Sequence, residues 1–149
     1  MAALLLIAQF VFRVYSLTCD CEHGFIYNNS VEVFIGYTKN IALDEGKTWQ
    51  KVTLNLKKVY KGNLEDSSME VDVYSLSNVC GYYWNVGQYY LVFVEEISDN
   101  RRVVNQCSMT RSIFYMHDPN GTWVGIPTLE EVKDWDFQNE VMKKWEFKN

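Results

Sequence analysis

Several segments of the chain carry the apolar and polar spacing of β-strands. They are residues 31–37, 49–60, 69–74, 89–94 and 101–104. The first three alternate or are rich in β-branched residues, so we expect strands with one face in solvent, whereas 89–94 is apolar throughout and should be fully buried. Pieces rich in glycine, asparagine and aspartate separate the segments. This succession of short strands and turns predicts a mainly β fold, either a sandwich or a barrel.

The last part of the chain predicts a helix with a defined start. Residues 128–131, Thr-Leu-Glu-Glu, have the form of a capping box and follow Pro127, which is typical of a helix N-terminus. We expect this helix to run through Trp135 towards Trp145, with a break near Asp136, because the apolar spacing is only loosely helical. Its apolar side chains should pack against the strands rather than form a binding stripe.

The first 18 residues have the pattern of an export signal. Their apolar run, residues 2–12, is too short to span a bilayer, and small residues stand at the two positions that a signal peptidase inspects. We therefore expect residues 1–18 to be a signal peptide that is cut between Thr18 and Cys19. The alternative, a buried N-terminal strand or helix, would have to accommodate Arg13, which directly follows the apolar run.

Removal of the signal leaves 131 residues (149 minus 18), the size of one domain, so we expect a single secreted domain over residues 19–149. No later stretch is apolar enough for a membrane span. Lys and Arg total 14 against 19 acidic residues, so the chain lacks the basic surplus that nucleic-acid binding requires. Two sequons, at Asn28 and Asn120, fit a secreted protein with surface glycans, although such triplets also occur by chance.

Export also decides how the cysteines are interpreted. The four cysteines are Cys19, Cys21, Cys80 and Cys107. Thiols in an oxidising compartment pair, so we expect two disulfides. A bond between Cys19 and Cys21 would be strained across one intervening residue, so each should reach a distant partner, which leaves two pairings open. A zinc site is disfavoured, since there is no second close pair of cysteines and only His23 and His117 could add ligands.

Cleavage before Cys19 would place a free α-amino group at the start of Cys19-Asp20-Cys21. An α-amine has a pKa of about 7.7 to 8.0, so near pH 7 a useful fraction is neutral and can bind a metal. With the carbonyl oxygen of Cys19 it could chelate the catalytic zinc of another protein and displace the water nucleophile from it. Disulfides at both cysteines would hold this terminus rigid, which favours binding.

At these residues the chain resembles a known family. The matching features, in order, are the mature Cys-x-Cys start, residues 59–62 (Val-Tyr-Lys-Gly) after a long strand, Cys80-Gly81, residues 86–91 (Val-Gly-Gln-Tyr-Tyr-Leu) and Cys107 after a strand. Together they resemble the N-terminal domain of tissue inhibitors of metalloproteinases over nearly the whole mature chain. The resemblance implies an OB-like, five-stranded Greek-key barrel of the netrin-module (NTR) type with flanking helices, including a C-terminal one. It also implies the bridges Cys19–Cys80 and Cys21–Cys107.

The resemblance further implies an inhibitory ridge and a function. The ridge maps to Cys19, Asp20, Cys21 and Glu22, together with Ser77, Asn78 and Val79 just before Cys80. Cys19 would chelate the zinc of a partner proteinase, Asp20 would enter the pocket beside the metal, and residues 77–79 would line the unprimed side of the cleft. The implied function is a secreted, monomeric inhibitor that binds an extracellular zinc metalloproteinase one to one and has no cofactor of its own.

Three departures from the family keep a second interpretation open. The family has a small hydroxyl residue where this chain has Asp20, and burying a carboxylate in a mostly apolar pocket is costly. A third disulfide and the cysteine-rich C-terminal domain of the family are also missing. The alternative is therefore a netrin-type binding module for an extracellular protein or glycan that does not touch zinc. An enzyme is disfavoured, because His23, His117 and the scattered acids assemble no nucleophile, base and orienting group.

Overall fold

The protein is mainly β. Its structure, a computed structural model, describes residues 19, 21, 26–65, 69–113, 116–117, 123–124 and 126–134. The elements are β1 (Glu32–Leu43), β2 (Trp49–Lys61), β3 (Glu70–Leu76), β4 (Tyr89–Val94), β5 (Glu96–Ser98), β6 (Arg101–Val103), β7 (Arg111–Ile113), β8 (Met116–His117), β9 (Trp123–Val124) and α1 (Leu129–Lys133). The predicted strand segments correspond to β1, β2, β3, β4 and β6, so these predictions are confirmed.

Seven of the strands form one mixed sheet in the order β5-β6-β3-β2-β1-β4-β7, and β8 pairs with β9 in a separate sheet. Every pair in the large sheet is antiparallel except β3 with β6, which is parallel. The outer strands β5 and β7 do not pair with each other, so the sheet formed by the described residues is open. A closed five-stranded barrel is therefore not what these strands form, and the OB-like arrangement stays a proposal.

The core lies on both faces of the sheet centre. On one face the buried side chains include Phe34, Leu54, Val73, Tyr90 and Val92. On the other they are Val33, Ile35, Leu91, Phe93 and Val132. Strand β4 is buried along both faces, as predicted. For the segment 31–37 the expectation of one solvent face is wrong, because β1 is buried from Glu32 to Gly36 and α1 supplies Val132 to cover the second face. Each large apolar side chain buried in this way stabilises the fold by about 1.5 to 3 kcal/mol.

Helix α1 begins where the sequence predicts. Thr128 Oγ1 accepts the N–H of Glu131 at 3.3 Å, and Glu131 Oε2 accepts the N–H of Thr128 at 2.7 Å, which completes the capping box. The hydroxyl of Tyr60 donates to the carbonyl of Pro127 at 2.5 Å and ties the helix start to β2. The helix ends at Lys133, since Asp134 is extended. Residues 135–149, over which we expect the helix to run through Trp135 towards Trp145 with a break near Asp136, lie outside the described residues.

Within the described ranges, no helix is both long enough and apolar enough to span a bilayer. Residues 1–18 lie outside those ranges. The signal peptide and the domain boundary at residue 19 therefore stay predictions.

Candidate functional site

Two disulfides join the start of the predicted mature chain to two turns, one after β3 and one between β6 and β7. Cys19 is bonded to Cys80, with 5.5 Å between their Cα atoms, and Cys21 is bonded to Cys107, with 5.4 Å between theirs. The expectation of two disulfides is confirmed, and the pairs are those that the resemblance implies. All four cysteines are used, so their sulfurs are not metal-binding thiolates. Residues 19 and 21 are thus held at two points that lie 61 and 86 residues further along the chain.

The loop after β3 carries Ser77, Asn78 and Val79 and ends at Cys80, and we call residues 77–80 the ridge loop. The N–H of Ser77 donates to the carbonyl of Thr48 at 2.9 Å, and the Ser77 hydroxyl donates to the carbonyl of Lys47. At the other end Asn78 folds the chain back on itself. Its Oδ1 accepts the N–H of Cys80 at 2.9 Å, and its carbonyl accepts the N–H of Gly81 at 2.9 Å. The ridge loop is therefore anchored at both ends by hydrogen bonds.

The turn between β1 and β2 supports the first of these anchors. Asp44 Oδ1 accepts the N–H groups of Thr48 at 2.7 Å and of Trp49 at 3.0 Å, so a local aspartate turn fixes the backbone at residues 44–49. The Lys47 and Thr48 carbonyls that receive Ser77 belong to this turn. The sequence pattern Asp44-Glu45-Gly46-Lys47 predicts the turn, and the structure adds its contact with the ridge loop.

Asn105 connects the ridge loop to the second disulfide. Its Oδ1 accepts the N–H of Leu76 at 2.9 Å, and it forms an antiparallel bridge with Gly81. One residue on, the N–H of Gln106 donates to the carbonyl of Cys80 at 3.0 Å. The segment that leads to Cys107 therefore lies directly beside the segment that contains Cys80, which brings the two bridges into the same region.

Glu95 holds Asn105 in turn. Glu95 Oε1 accepts the backbone N–H of Asn105 at 2.6 Å. Burial raises the pKa of Glu95 above its ordinary value, and the hydrogen bond from Asn105 partly opposes that change. The sequence analysis identifies neither Asn105 nor Glu95 as part of the site. Asn105 precedes Cys107 by two residues, but a single asparagine in that position carries no specific signal.

Gly81 is required by a close approach of two backbone segments. A Cβ atom at this position would lie 1.7 Å from the carbonyl oxygen of Leu76 and 3.2 Å from that of Asn78. Any side chain larger than hydrogen would therefore separate the ridge loop from the end of β3. This close contact explains why glycine, which has no Cβ, follows Cys80 in the Cys80-Gly81 motif.

Several large apolar side chains on the segment around and after Cys80 face solvent. Val79 is 50% exposed, Val86 is 59% exposed and Tyr83 is 81% exposed. Between them Trp84 is buried, and its ring packs against those of Tyr82 and Tyr90 with centroids 4.8 Å away in both cases. The exposed side chains are thus carried on a segment whose neighbouring residues are fixed in the core.

The structure describes only part of the predicted ridge. Asp20 and Glu22 lie outside the described residues, as do His23 and the sequon at Asn120. Asn28 is exposed in the turn 27–29. Of the predicted ridge, the structure brings together Cys19, Cys21 and the ridge loop. Among the described residues no three His, Cys, Asp or Glu side chains lie close enough to hold a metal ion.

Comparison with models of known protein families found no match, and a search of curated proteins found none either.

Proposed function

We propose that the protein is a secreted inhibitor of zinc metalloproteinases with an OB-like fold of the netrin type. Signal-peptide removal would make Cys19 the first residue, and its α-amino nitrogen and carbonyl oxygen would chelate the catalytic zinc of the partner. The observation that carries the proposal is the pair of disulfides, which ties both cysteines of the Cys19-Asp20-Cys21 start to two neighbouring turns, at Cys80 and Cys107.

The available donor atoms support backbone chelation. The sulfurs of Cys19 and Cys21 are both in disulfides, so the metal-binding groups that this start can offer are backbone groups and the carboxylate of Asp20. A catalytic zinc keeps one position open for water or substrate beside its three protein ligands. A neutral amine with an adjacent carbonyl oxygen fits that position and removes the water nucleophile.

Rigidity supports the same proposal. Ordering a flexible backbone costs roughly 1 to 2 kcal/mol per residue, so fixing three free residues on binding would cost about 3 to 6 kcal/mol. The bridges from Cys19 and Cys21 impose this order before binding, and the hydrogen bonds of the ridge loop and of Asn105 fix the far ends of the bridges. The exposed apolar side chain of Val79, next to the bridged Cys80, then offers contact area close to Cys19.

The decisive experiment compares two N-termini. Protein secreted from a full-length gene is sequenced from its N-terminus and assayed against a panel of zinc metalloproteinases, beside a variant that carries one additional alanine before Cys19. The matched control carries the additional alanine after Asn149. We expect the first variant to lose at least about a hundredfold in inhibition, since its amine is consumed in a peptide bond, while the control inhibits normally. Full inhibition by the variant with the extended N-terminus would contradict chelation.

The pH dependence gives an independent test. Protonation removes the lone pair of the α-amine, so inhibition should weaken as the pH falls below about 7.7 to 8.0, by up to tenfold per pH unit. The inhibition constant is measured from pH 6 to 9. A second inhibitor of the same proteinase that does not bind its zinc serves as the reference for pH effects on the proteinase itself. A flat profile would argue against the amine as a zinc ligand.

Asp20 is the observation that favours the second candidate, a netrin-type binding module. If the inhibitor proposal is right, Asp20→Thr should tighten inhibition, because no carboxylate is then buried beside the metal. If the protein is a binding module, the variant with the extended N-terminus should still bind an extracellular partner. In that case neither this variant nor the unaltered protein should inhibit a proteinase. Asp20→Asn, which removes the charge and keeps the shape, separates the effect of charge from that of size.

A further inference from the structure

An arginine side chain lies against two aromatic rings at the surface of the sheet. Arg101 begins β6, and its Cζ atom lies 5.2 Å from the ring centroid of Tyr74 on β3 and 5.9 Å from that of Trp49 on β2. A cation within about 6 Å of a ring centroid is attracted to the face of the ring. We call Trp49, Tyr74 and Arg101 the arginine platform.

The strand pattern places the platform on the face of β3 that is turned away from its core side. Val73 and Ser75, on either side of Tyr74, are both buried. Because successive side chains of a strand point to opposite faces of the sheet, Tyr74 points the other way. Trp49 and Arg101 are only partly buried, as is Tyr74. All three side chains of the platform are therefore within reach of a partner.

The hydrogen-bond donors of Arg101 are available. A guanidinium carries five N–H donors and no acceptor, and the two rings attract its charge without accepting these donors as an oxygen would. In the part of the chain that the structure describes, no oxygen atom accepts a hydrogen bond from Arg101 and no carboxylate forms an ion pair with it. The charge and the donors are thus both free to meet an anion.

The acidic side chains around the platform do not neutralise Arg101. On the same face of β3, Asp72 Oδ2 is paired with Lys51 Nζ at 3.2 Å, and Asp72 Oδ1 accepts the hydroxyl of Thr53 at 2.7 Å. Asp99 precedes Arg101 by two residues in an exposed turn, and the described ion pairs include none between these two side chains. The platform therefore keeps a local positive charge although the net charge of the chain is −5.

The platform lies beside the ridge loop. Trp49 pairs with Leu76 across β2 and β3, and Leu76 is the last residue before the loop. The carbonyl of Thr48, the chain neighbour of Trp49, accepts the N–H of Ser77 at 2.9 Å. Tyr74 precedes Ser77 by three residues, which is about 10 Å along a strand. A protein that covers the ridge loop can therefore also cover the platform.

We propose that the arginine platform binds a carboxylate, from an aspartate or glutamate side chain of the protein that contacts the ridge loop. A planar guanidinium matches a carboxylate with two parallel hydrogen bonds. The two rings restrict the arginine side chain before binding, which lowers the entropic cost of ordering it. The inference rests on the proposed function only for the identity of this partner as a metalloproteinase.

Charge favours a single carboxylate over a sulfated glycan chain. Interactions between exposed charges more than about 8 Å apart are largely screened at physiological salt, so one carboxylate responds mainly to Arg101. A glycan chain extends over many residues and would also meet exposed acids next to the platform, such as Glu96 and Asp99. We therefore expect the platform to recognise one acidic side chain on a protein surface.

The first test uses small probes and no proteinase. The secreted protein, labelled with ¹⁵N, is titrated with N-acetyl-glutamate N-methylamide and, separately, with N-acetyl-glutamine N-methylamide. NMR follows the Nε–H signal of Arg101 and the indole N–H signal of Trp49. We expect saturable shifts with the glutamate probe and binding at least about tenfold weaker with the glutamine probe, because hydrogen bonds between charged groups are stronger than neutral ones. Equal binding of the two probes, or no saturable shift, would overturn the proposal.

Variants assign the preference to its residues. Arg101→Gln should abolish the preference for the glutamate probe, Arg101→Lys should keep part of it, and Tyr74→Leu should weaken it severalfold because one ring no longer holds the guanidinium. Lys57→Gln is the matched control, since it removes one positive charge from an exposed position of β2 outside the platform. If Lys57→Gln weakens the glutamate probe as much as Arg101→Gln does, net charge is the cause and the proposal is wrong.

A sulfated oligosaccharide is titrated in parallel to test the other class of anion. If it displaces the glutamate probe at a much lower concentration than the capped amino acid itself requires, and if Arg101→Gln removes this effect, the platform is a glycan site. That result would overturn the assignment to a protein carboxylate. Displacement only at concentrations that also affect the Arg101→Gln variant would support the assignment.

The last arm separates this proposal from the proposed function. Against a metalloproteinase that the protein inhibits, Arg101→Gln should raise the inhibition constant about tenfold without abolishing inhibition, whereas an extended N-terminus abolishes it. If the glutamate probe binds but no proteinase is inhibited, the proposed function fails and the platform remains a carboxylate site. If inhibition is strong and unchanged in Arg101→Gln, the role of the platform in the complex is overturned while the chelation proposal stands.

Discussion

Replacing Gly81 by alanine should separate the ridge loop from β3. The added Cβ would lie 1.7 Å from the carbonyl oxygen of Leu76 and 2.7 Å from its carbon. Both atoms belong to backbone, so no flexible side chain can move aside, and one segment has to shift by more than 1 Å to reach an ordinary contact of about 3.5 Å. Gly81 does not have a positive φ, so steric overlap rather than backbone strain is the cause.

The expected cost follows from the hydrogen bonds that such a shift would break. The N–H of Gly81 donates to the carbonyl of Asn78 at 2.9 Å, and the N–H of Tyr82 donates to Ser75 Oγ at 2.6 Å. The carbonyl of Cys80 accepts the N–H of Gln106 at 3.0 Å. Each such bond contributes a net 0.5 to 1.5 kcal/mol, so losing them should lower the free energy of unfolding by about 2 to 4 kcal/mol. At about 4 °C per kcal/mol for a domain of this size, the melting temperature should fall by about 8 to 16 °C.

Gly46→Ala is the matched control for this change. Its Cβ would have no neighbour closer than Thr48 Oγ1 at 3.5 Å, and its φ is not positive either, so both alanines restrict the unfolded chain equally. Urea and thermal unfolding of both variants, with the disulfides intact, measure the difference. Inhibition should weaken in Gly81→Ala as well, since Cys80 carries Cys19. If the two variants unfold within about 0.5 kcal/mol of each other, the steric reasoning is wrong.

Three other perturbations test separate parts of the structure. Replacing Cys21 and Cys107 together by serine should lower the free energy of unfolding by about 3 to 4 kcal/mol, because, with Cys19 still bonded to Cys80, this bridge closes an effective loop of about 30 residues. A loss below about 1 kcal/mol in urea titrations would contradict this. Arg102→Met should lower the free energy of unfolding by about 3 to 5 kcal/mol, since it leaves the carboxylate of Glu32, only 4% exposed, without its partner at 2.5 Å. The double variant Glu32→Met/Arg102→Met should recover most of that loss. If it recovers none, the loss does not come from the unpaired carboxylate. Burial raises the pKa of Glu95, so the contribution of this carboxyl group to stability is greatest below its unfolded pKa and is lost as the pH rises through its folded pKa. In thermal melts from pH 4 to 8, the melting temperature of Glu95→Gln should therefore decline less with rising pH than that of the unaltered protein. An equal decline in both proteins would show that Glu95 is not the cause.

The strands could be predicted where the pattern of burial is local. Strands β2 and β3 alternate buried and half-exposed residues along most of their length, and that period is visible in the sequence. The three-residue strands β5 and β7 are too short to carry a period. The parallel pairing of β3 with β6 depends on residues about 30 positions apart, such as Val73 and Arg102, and no local pattern encodes it. For the same reason the burial of both faces of β1 could not be predicted, since it depends on Val132.

The site shows the same division between local and distant information. The capping box at Thr128 and the turn at Asp44 are made by residues within five positions of each other, and both are predictable. Asn105 acts on Leu76 across 29 positions, so its role depends on the finished fold. The disulfide pairs lie between these cases: the residues alone leave two pairings open, and only the resemblance selects Cys19 with Cys80.

The polar side chains around the ridge loop are already engaged in holding it. The side chains of Ser77 and Asn78 bond to backbone within this region, as does that of Asn105, and the sulfurs of Cys19 and Cys80 bond to each other. A side chain that fixes the loop cannot change partners on binding without loosening the loop. Among the residues of this region that the structure describes, the groups left to contact a partner are therefore the backbone at residue 19 and exposed apolar side chains such as Val79. Under the proposed function, these groups can contact a partner without any rearrangement of the side chains that hold the ridge loop, which keeps the entropic cost of binding low.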